Sequence, residues 1–284
     1  KHDSKSSAAW KRYISVDRFP FKNNSGEYLF SYEFELPSNG PDSEDGASYD
    51  PDKKTLDFPC YHETVYSFTY GNVGIIVLNS NYWYTTNPEY IPMVGGNVHG
   101  YVMDMQLKWL GETIKAMEKN KKIDHILVTI HTPAFPNAGH SGDDMWYGGN
   151  NDIRPYVGGK PVEKGIIERR DELLDILVNH SKKFRALLTG DEHNYTRLVV
   201  TNETPIYPQD WKGKKLSFSR PFVQITNGAA GAPYYALEKL PWTNFVKKFS
   251  TQNALMIFEV EGKNIKVRVF NPDTFEPIET FNLN

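Results

Sequence analysis

Apolar residues along this chain follow different rhythms, and each change of rhythm marks an element. Up to about residue 63 there is little rhythm at all. Pro37-Ser38-Asn39-Gly40-Pro41 and the acidic stretch from Asp42 to Asp52 predict a polar excursion, with a short strand around Tyr28 to Phe34. Val65 to Tyr70 and Gly74 to Asn79 are β-branched and aromatic runs parted by Gly71-Asn72, which predicts a hairpin. Met103, Leu107, Leu110, Ile114 and Met117 then recur at steps of four, three, four and three, predicting a helix from about Met103 to Lys119. The run His125 to Ile130 predicts a buried strand, and a Gly/Asn/Asp-rich loop follows from Thr132 to about Glu163.

A second helix, from about Lys164 to Asn179, carries Ile166, Leu173, Leu177 and Val178, and it leads into a strand from Phe184 to Thr189. Strand, helix and strand in this order form a crossover, which requires the two strands to be parallel. The remainder predicts strands at Thr196 to Val200, Pro221 to Thr226, Ala254 to Glu261 and Ile265 to Phe270, the last two joined by a turn at Glu261-Gly262-Lys263-Asn264. The expected class is therefore α/β, divided into a polar excursion over 1–63 and a folded part over 64–284.

Composition narrows the function. With 284 residues and 39% hydrophobic content the chain can bury a sizeable core, and a net charge of -3 without a dense Lys/Arg stripe excludes a nucleic-acid scaffold. Cys60 is the single cysteine, so a metal would be held by His, Asp, Asn or Glu. No apolar run reaches the roughly 18 residues of a membrane span. Aromatic residues at 14%, with Tyr, Trp, Asn and Gly crowding the loops, lean toward an extracytoplasmic or periplasmic hydrolase. The Asn-x-Ser/Thr matches at Asn23, Asn179, Asn194 and Asn202 are too common a pattern to establish secretion.

Chemistry concentrates at two strand ends. Thr189-Gly190-Asp191-Glu192-His193-Asn194-Tyr195 sets an acid and an imidazole just past one strand, and His131 closes another before Thr132-Pro133. In parallel sheets ligands gather at the carboxyl ends of strands, so His131, Asp191 and His193 are candidate metal ligands in one pocket. Each has a plainer reading. A histidine at a strand end is often structural, and an Asp after Gly190 also suits a turn. Tyr195 and Arg197 share a strand face and are candidate phosphate contacts or an ordinary surface pair. His140, Asp143 and Asp144 either line the pocket or belong to a solvated loop. Asn81-Tyr82-Trp83-Tyr84 either stacks a sugar or base or packs beneath the loop.

The ordered set Tyr66-Ser67-Phe68, Gly71-Asn72-Val73, Leu78-Asn79-Ser80, Gln106 to Leu110, His131-Thr132-Pro133, Gly190 to Tyr195 and Thr226-Asn227-Gly228-Ala229-Ala230-Gly231 resembles the calcineurin-like metallophosphoesterases, purple acid phosphatases among them. The likeness runs from about Tyr66 to the C-terminus. It implies a β-sandwich flanked by helices, and two ions of Mn, Fe or Zn sharing a bridging carboxylate. It also implies that His131 and position 191 hold one metal and His193 the other. Position 191 is more often His in that family, and Asp there shifts preference toward hard ions such as Mn, Fe or Ca.

The family's Asp-x-His and Gly-Asp-x-x-Asp do not occur upstream of Tyr66. Lys1-His2-Asp3 resembles the tail of its Gly-Asn-His-Asp motif, which makes His2 the matching general acid and places the N-terminal βαβ half in a missing segment or chain. The expected function is metal-dependent hydrolysis of a phosphate ester by the complete protein, acting as phosphatase or phosphodiesterase. The rival expectation is an inactive scaffold that recognises a glycan or protein through its aromatic loops.

Overall fold

The computed structural model describes residues 34–53, 58, 60–83, 98–157 and 160–283. Its centre is a seven-stranded sheet built from β1 (Tyr66–Tyr70), β2 (Val73–Leu78), β3 (His125–Ile130), β6 (Phe184–Thr189), β7 (Tyr195–Val200), β8 (Phe222–Asn227) and β9 (Val246–Ser250), in the order β1-β2-β3-β6-β8-β7-β9. The four inner strands β2, β3, β6 and β8 run parallel, and the edges are antiparallel. A small hairpin, β4 (Tyr156–Val157) with β5 (Lys160–Pro161), lies within the long loop, and β10 (Leu255–Glu261), β11 (Asn264–Phe270) and β12 (Pro277–Leu283) form a second sheet. The helices are α1 (Asp104–Lys119) and α2 (Ile166–Leu174), the latter continuing as a wider turn over Asp175–Asn179.

Period-two alternation explains the layering. Along β3, Ile126, Val128 and Ile130 join the core with Leu107, Leu110 and Ile114 of α1 and Ile166, Leu173 and Leu174 of α2. Leu127, between them, faces the other way and packs with Ile265, Val267 and Val269 of β11. Helices therefore cover one face of the large sheet and the three-stranded sheet covers the other. This is a mixed α/β fold with a large central sheet and few helices, as the apolar rhythm predicts. Among the described residues no helix is long and apolar enough to cross a membrane.

Three features depart from the sequence reading. The strand expected around Tyr28 to Phe34 falls largely outside the described residues. The loop 132–163 is not bare, because it contains a tight turn at Tyr147–Gly149, the β4-β5 hairpin and buried Ala134, Phe135, Met145 and Trp146. Strands β9 and β12 were not foreseen. Val246-Lys247-Lys248-Phe249-Ser250 has only two apolar positions, and it earns its place by pairing with β7 rather than by burial.

The acidic stretch before Asp52 also has a structural task. Glu44 is fully buried, and its carboxylate accepts the backbone N–H groups of Met105 at 2.9 Å and Gln106 at 3.2 Å, with the hydroxyl of Tyr61 at 2.5 Å and that of Tyr49. Met103 at the start of α1 makes no side-chain cap, so a residue some 60 positions upstream satisfies the orphan donors of the first turn. Burial raises the Glu44 pKa, and the Met105 N–H and the two tyrosines oppose that rise. Glu44→Ala is expected to cost about 2–3 kcal/mol in urea unfolding, since it strands two helix donors and two phenols. A loss under about 0.5 kcal/mol would show that water replaces the carboxylate.

Candidate metal centre

The parallel pairing brings the carboxyl ends of β2, β3, β6 and β8 to one edge of the sheet, and Ile130 lies opposite Thr189 in the β3-β6 register. Beyond that pair, the Gly190 N–H donates to the His131 carbonyl at 2.9 Å and clamps the two exits together. The next residue, Asp191, adopts φ 63, a left-handed conformation uncommon for a residue with a side chain. Glu192 and Asn194 then donate N–H groups to the carbonyls of Gly190 and Glu192 at 2.8 and 2.7 Å, so the motif folds as successive tight turns.

Glu192 anchors the opposite wall. It is fully buried, and its carboxylate accepts the N–H groups of Asn137 at 2.9 Å, Ala138 at 2.8 Å and His140 at 3.4 Å. Burial raises its pKa, and these backbone donors counter the rise. Asn137 and Asn194 exchange amide hydrogen bonds at 2.7 and 3.2 Å beside it. Gly228 is needed here because a Cβ would lie 2.4 Å from the Glu192 carbonyl oxygen.

Imidazoles and carboxylates converge on Asp191. His131 Nε2 is 3.2 Å from Asp191 Oδ1, His140 Nε2 is 3.6 Å from the same oxygen, and His99 Nδ1 is 3.4 Å from Oδ2. His99 Nδ1 also lies 3.5 Å from Asp144 Oδ1. The His131 side chain is half exposed, at 53%, whereas Asp144 is 0% exposed. Burial opposes ionisation of Asp191, but contacts with His131, Asp144 and His99 bring its carboxyl well below the usual range. Burial and the neighbouring Asp191 push Asp144 the other way, well above that range. The Asp143 carboxylate on His140 Nδ1, 3.1 Å away, raises that imidazole to about 9, while burial lowers His99.

The candidate residues fare differently. His131 and Asp191 are together. His193 stands apart, with its Nδ1–H donating to the Pro233 carbonyl at 2.7 Å and its ring stacked on Tyr235 at 4.2 Å. Tyr235 in turn meets the His140 ring edge-on at 5.7 Å. Tyr195 and Arg197 are not brought to the cluster. They share a strand face as expected, but that face meets the second sheet, where the Tyr195 hydroxyl and Arg197 Nε donate to Glu279 at 2.8 and 3.0 Å. His2 and Tyr84 lie outside the described residues. Tyr82 and Trp83 are buried, and Tyr82 stacks on Tyr61 at 4.2 Å, so both serve packing rather than a glycan surface. Asn194 is wholly buried and could not carry a glycan in this fold.

His140, Asp143 and Asp144 line the site, against the solvated-loop reading. The sequence reading missed His99, whose only local signal is the following Gly100. That glycine has φ 83, and a Cβ on it would lie 2.6 Å from the Asp144 carbonyl oxygen.

No family model matches this chain, and no curated protein matches it. Among solved structures it is similar to purple acid phosphatase PPD1 from yellow lupin (Lupinus luteus) seeds, with TM-score 0.48 and 12% identity over 78% of this chain and 32% of that one. It is also similar to GAP50, the anchor in the inner membrane complex of Plasmodium, with TM-score 0.43 and 14% identity over 78% of this chain and 53% of that one. A third is PhoD, with TM-score 0.42 and 13% identity over 83% of this chain and 42% of that one. The chain thus spans between 32% and 53% of the length of these structures.

Glu192→Ala is expected to destabilise the chain by about 3 kcal/mol, because at least two buried N–H groups lose their acceptor. Glu192→Gln, which keeps one acceptor oxygen, should cost less than half as much. Equal stability of both variants and the native chain in urea unfolding would refute the anchoring role.

Proposed function

We propose that the protein to which these residues belong is a metal-dependent phosphoester hydrolase and that this edge of the sheet is part of its active site. The observation that carries the reading is the contact of His131 Nε2 with Asp191 Oδ1, 3.2 Å apart, at the exits of adjacent parallel strands. Those two residues, together with His193, match the ligand positions of the metallophosphoesterase motif order.

The residues fit a cation. Asp191 Oδ2 is buried and makes no hydrogen bond to the described residues. His193 spends its Nδ1–H on Pro233, which leaves the Nε2 lone pair available for coordination. His131 and Asp191 would hold one ion of Mn, Fe or Zn, and His193 a second. Such ions supply Lewis-acid polarisation of a phosphoryl oxygen and a hydroxide nucleophile at neutral pH.

The chain's own contribution is positioning. Gly190 locks the two strand exits, and Glu192 pins the facing loop. The half-exposed His131 imidazole lies on the open side, where a phosphate ester would approach. In the same reading His2 protonates the leaving group, a role carried by its motif position alone. Tyr195 and Arg197 are committed to Glu279 and take no part in this reading. The substrate class stays broad, covering phosphomonoesters, phosphodiesters and nucleotides, and the folded part over 64–284 is read as belonging to one hydrolase domain.

The test is hydrolysis of an aryl phosphate by the full-length protein with Mn, Fe or Zn added. His131→Ala and Asp191→Asn should each lower kcat by about 100-fold or more while circular dichroism stays native. Turnover within about threefold of native in both variants would remove these residues from the chemistry.

A further inference from the structure

Asp144 is the residue that the hydrolytic reading leaves unused. It is completely buried, neither carboxylate oxygen meets a hydrogen-bond donor among the described residues, and the Asp191 carboxylate stands beside it. Buried polar groups are satisfied nearly everywhere in folded proteins, and a buried carboxylate is costly unless a cation or donors meet it. Here its close neighbours are an imidazole and a second carboxylate, His99 and Asp191. One donor atom each from His99, His140, Asp144 and Asp191 lies within 4.8 Å of all the others.

We infer that His99, His140, Asp144 and Asp191 form a site for one divalent cation, with a ligand set distinct from His131, Asp191 and His193. The orphaned oxygens support this directly. Both oxygens of Asp144 and Oδ2 of Asp191 are buried without a hydrogen-bond donor, and His99 Nδ1 stands 3.5 and 3.4 Å from the two carboxylates. His140 is prepared as a ligand by Asp143, which takes its Nδ1 at 3.1 Å and leaves Nε2 turned toward Asp191. That is the carboxylate–histidine–metal arrangement in which an outer carboxylate orients the imidazole.

The backbone is bent to the same purpose. Asp144 at φ 54 and Asp191 at φ 63 both adopt the left-handed conformation, and Gly100 permits the close approach that brings His99 against the Asp144 backbone. Two imidazoles and two carboxylates suit Zn, Mn or Fe(II), whereas Ca takes six to eight oxygens. A cation here does not depend on the hydrolytic reading. Where that reading also holds, Asp191 belongs to both ligand sets, with Oδ1 facing His131 and Oδ2 facing His99.

The test is isothermal titration of the metal-stripped 284-residue chain with Zn²⁺, Mn²⁺ and Ca²⁺, alongside Asp144→Asn, His99→Ala, Asp143→Asn and His193→Ala. The native chain should take up a Zn²⁺ or Mn²⁺ ion that Asp144→Asn and His99→Ala bind about 100-fold more weakly and Asp143→Asn about 10-fold more weakly. His193→Ala should retain it, and Ca²⁺ should bind far less tightly. Asp144→Asn keeps the size of the side chain and puts no second negative charge beside Asp191, so without metal it should melt no lower than the native chain, which separates lost ligation from lost fold. Native affinity in Asp144→Asn, or no ion bound by the native chain, would overturn the site. Loss of the ion in His193→Ala but not in Asp144→Asn would transfer it to the other ligand set. If the site binds as expected while the full-length protein hydrolyses no ester, the cation site stands and the hydrolytic reading falls.

Discussion

The parallel register of β3 with β6 is the constraint on which the site depends. Because Ile130 pairs with Thr189, the next residues of both strands, His131 and Gly190, leave the sheet at the same level. The clamp from the Gly190 N–H to the His131 carbonyl then carries Asp191 to within reach of the His131 ring. A slip of one residue would turn Ile126, Val128 and Ile130 away from the helices and place Leu127 among them, inverting the packing of both faces. Fully burying an aliphatic side chain is worth about 1.5–3 kcal/mol, so hydrophobic packing strongly favours the register that the polar cluster requires.

Three buried carboxylates near this core show how differently the fold treats negative charge. Glu44 and Glu192 are each met by backbone N–H groups, from the first turn of α1 and from the 137–140 segment respectively. Both are anchors, each tying a distant stretch of chain to the element it caps. Asp144 is as buried as either and has no donor at hydrogen-bonding geometry. Its nearest ionic neighbours are the His99 imidazole and Asp191, a second carboxylate. Two like charges in one low-dielectric site are unfavourable unless a proton or a cation is shared between them. The fold meets this demand with backbone donors at Glu44 and Glu192, whereas at Asp144, beside Asp191, it falls to a proton or a cation.

Much of this was legible in residue order. The hairpin at Gly71-Asn72, both helices and the crossover from β3 to β6 follow from apolar spacing, and the crossover alone puts His131 and Asp191 at one edge. Contacts that pair distant segments were not legible. Nothing local marks Glu44 as the cap of a helix that begins 60 residues later, or His99 as a neighbour of Asp191 across 92 positions. Composition also misled. The Gly/Asn/Asp-rich character of 132–163 reads as solvated loop, yet Glu192 and Trp242 bury much of it, the Trp242 indole donating to the Pro136 carbonyl at 2.8 Å.

Tyr195 and Arg197 show the limit of a face assignment. Strand alternation correctly places both side chains on one side of β7, and an arginine fork is well suited to phosphate. What alternation cannot say is which layer that side meets. The odd positions of β7 turn toward the second sheet, where Glu279 on β12 receives both groups and the Arg197 guanidinium lies over Phe281, 4.4 Å from the ring centre. The Glu279 carboxylate takes up the guanidinium fork, and the contact ties the two sheets together. The edge that carries the His/Asp cluster and the sheet-joining face are therefore both fed by the segment from Gly190 to Arg197. Its tight turns present Asp191 to the cleft and then return the chain to the sheet, so that Tyr195 enters the second core only four residues later.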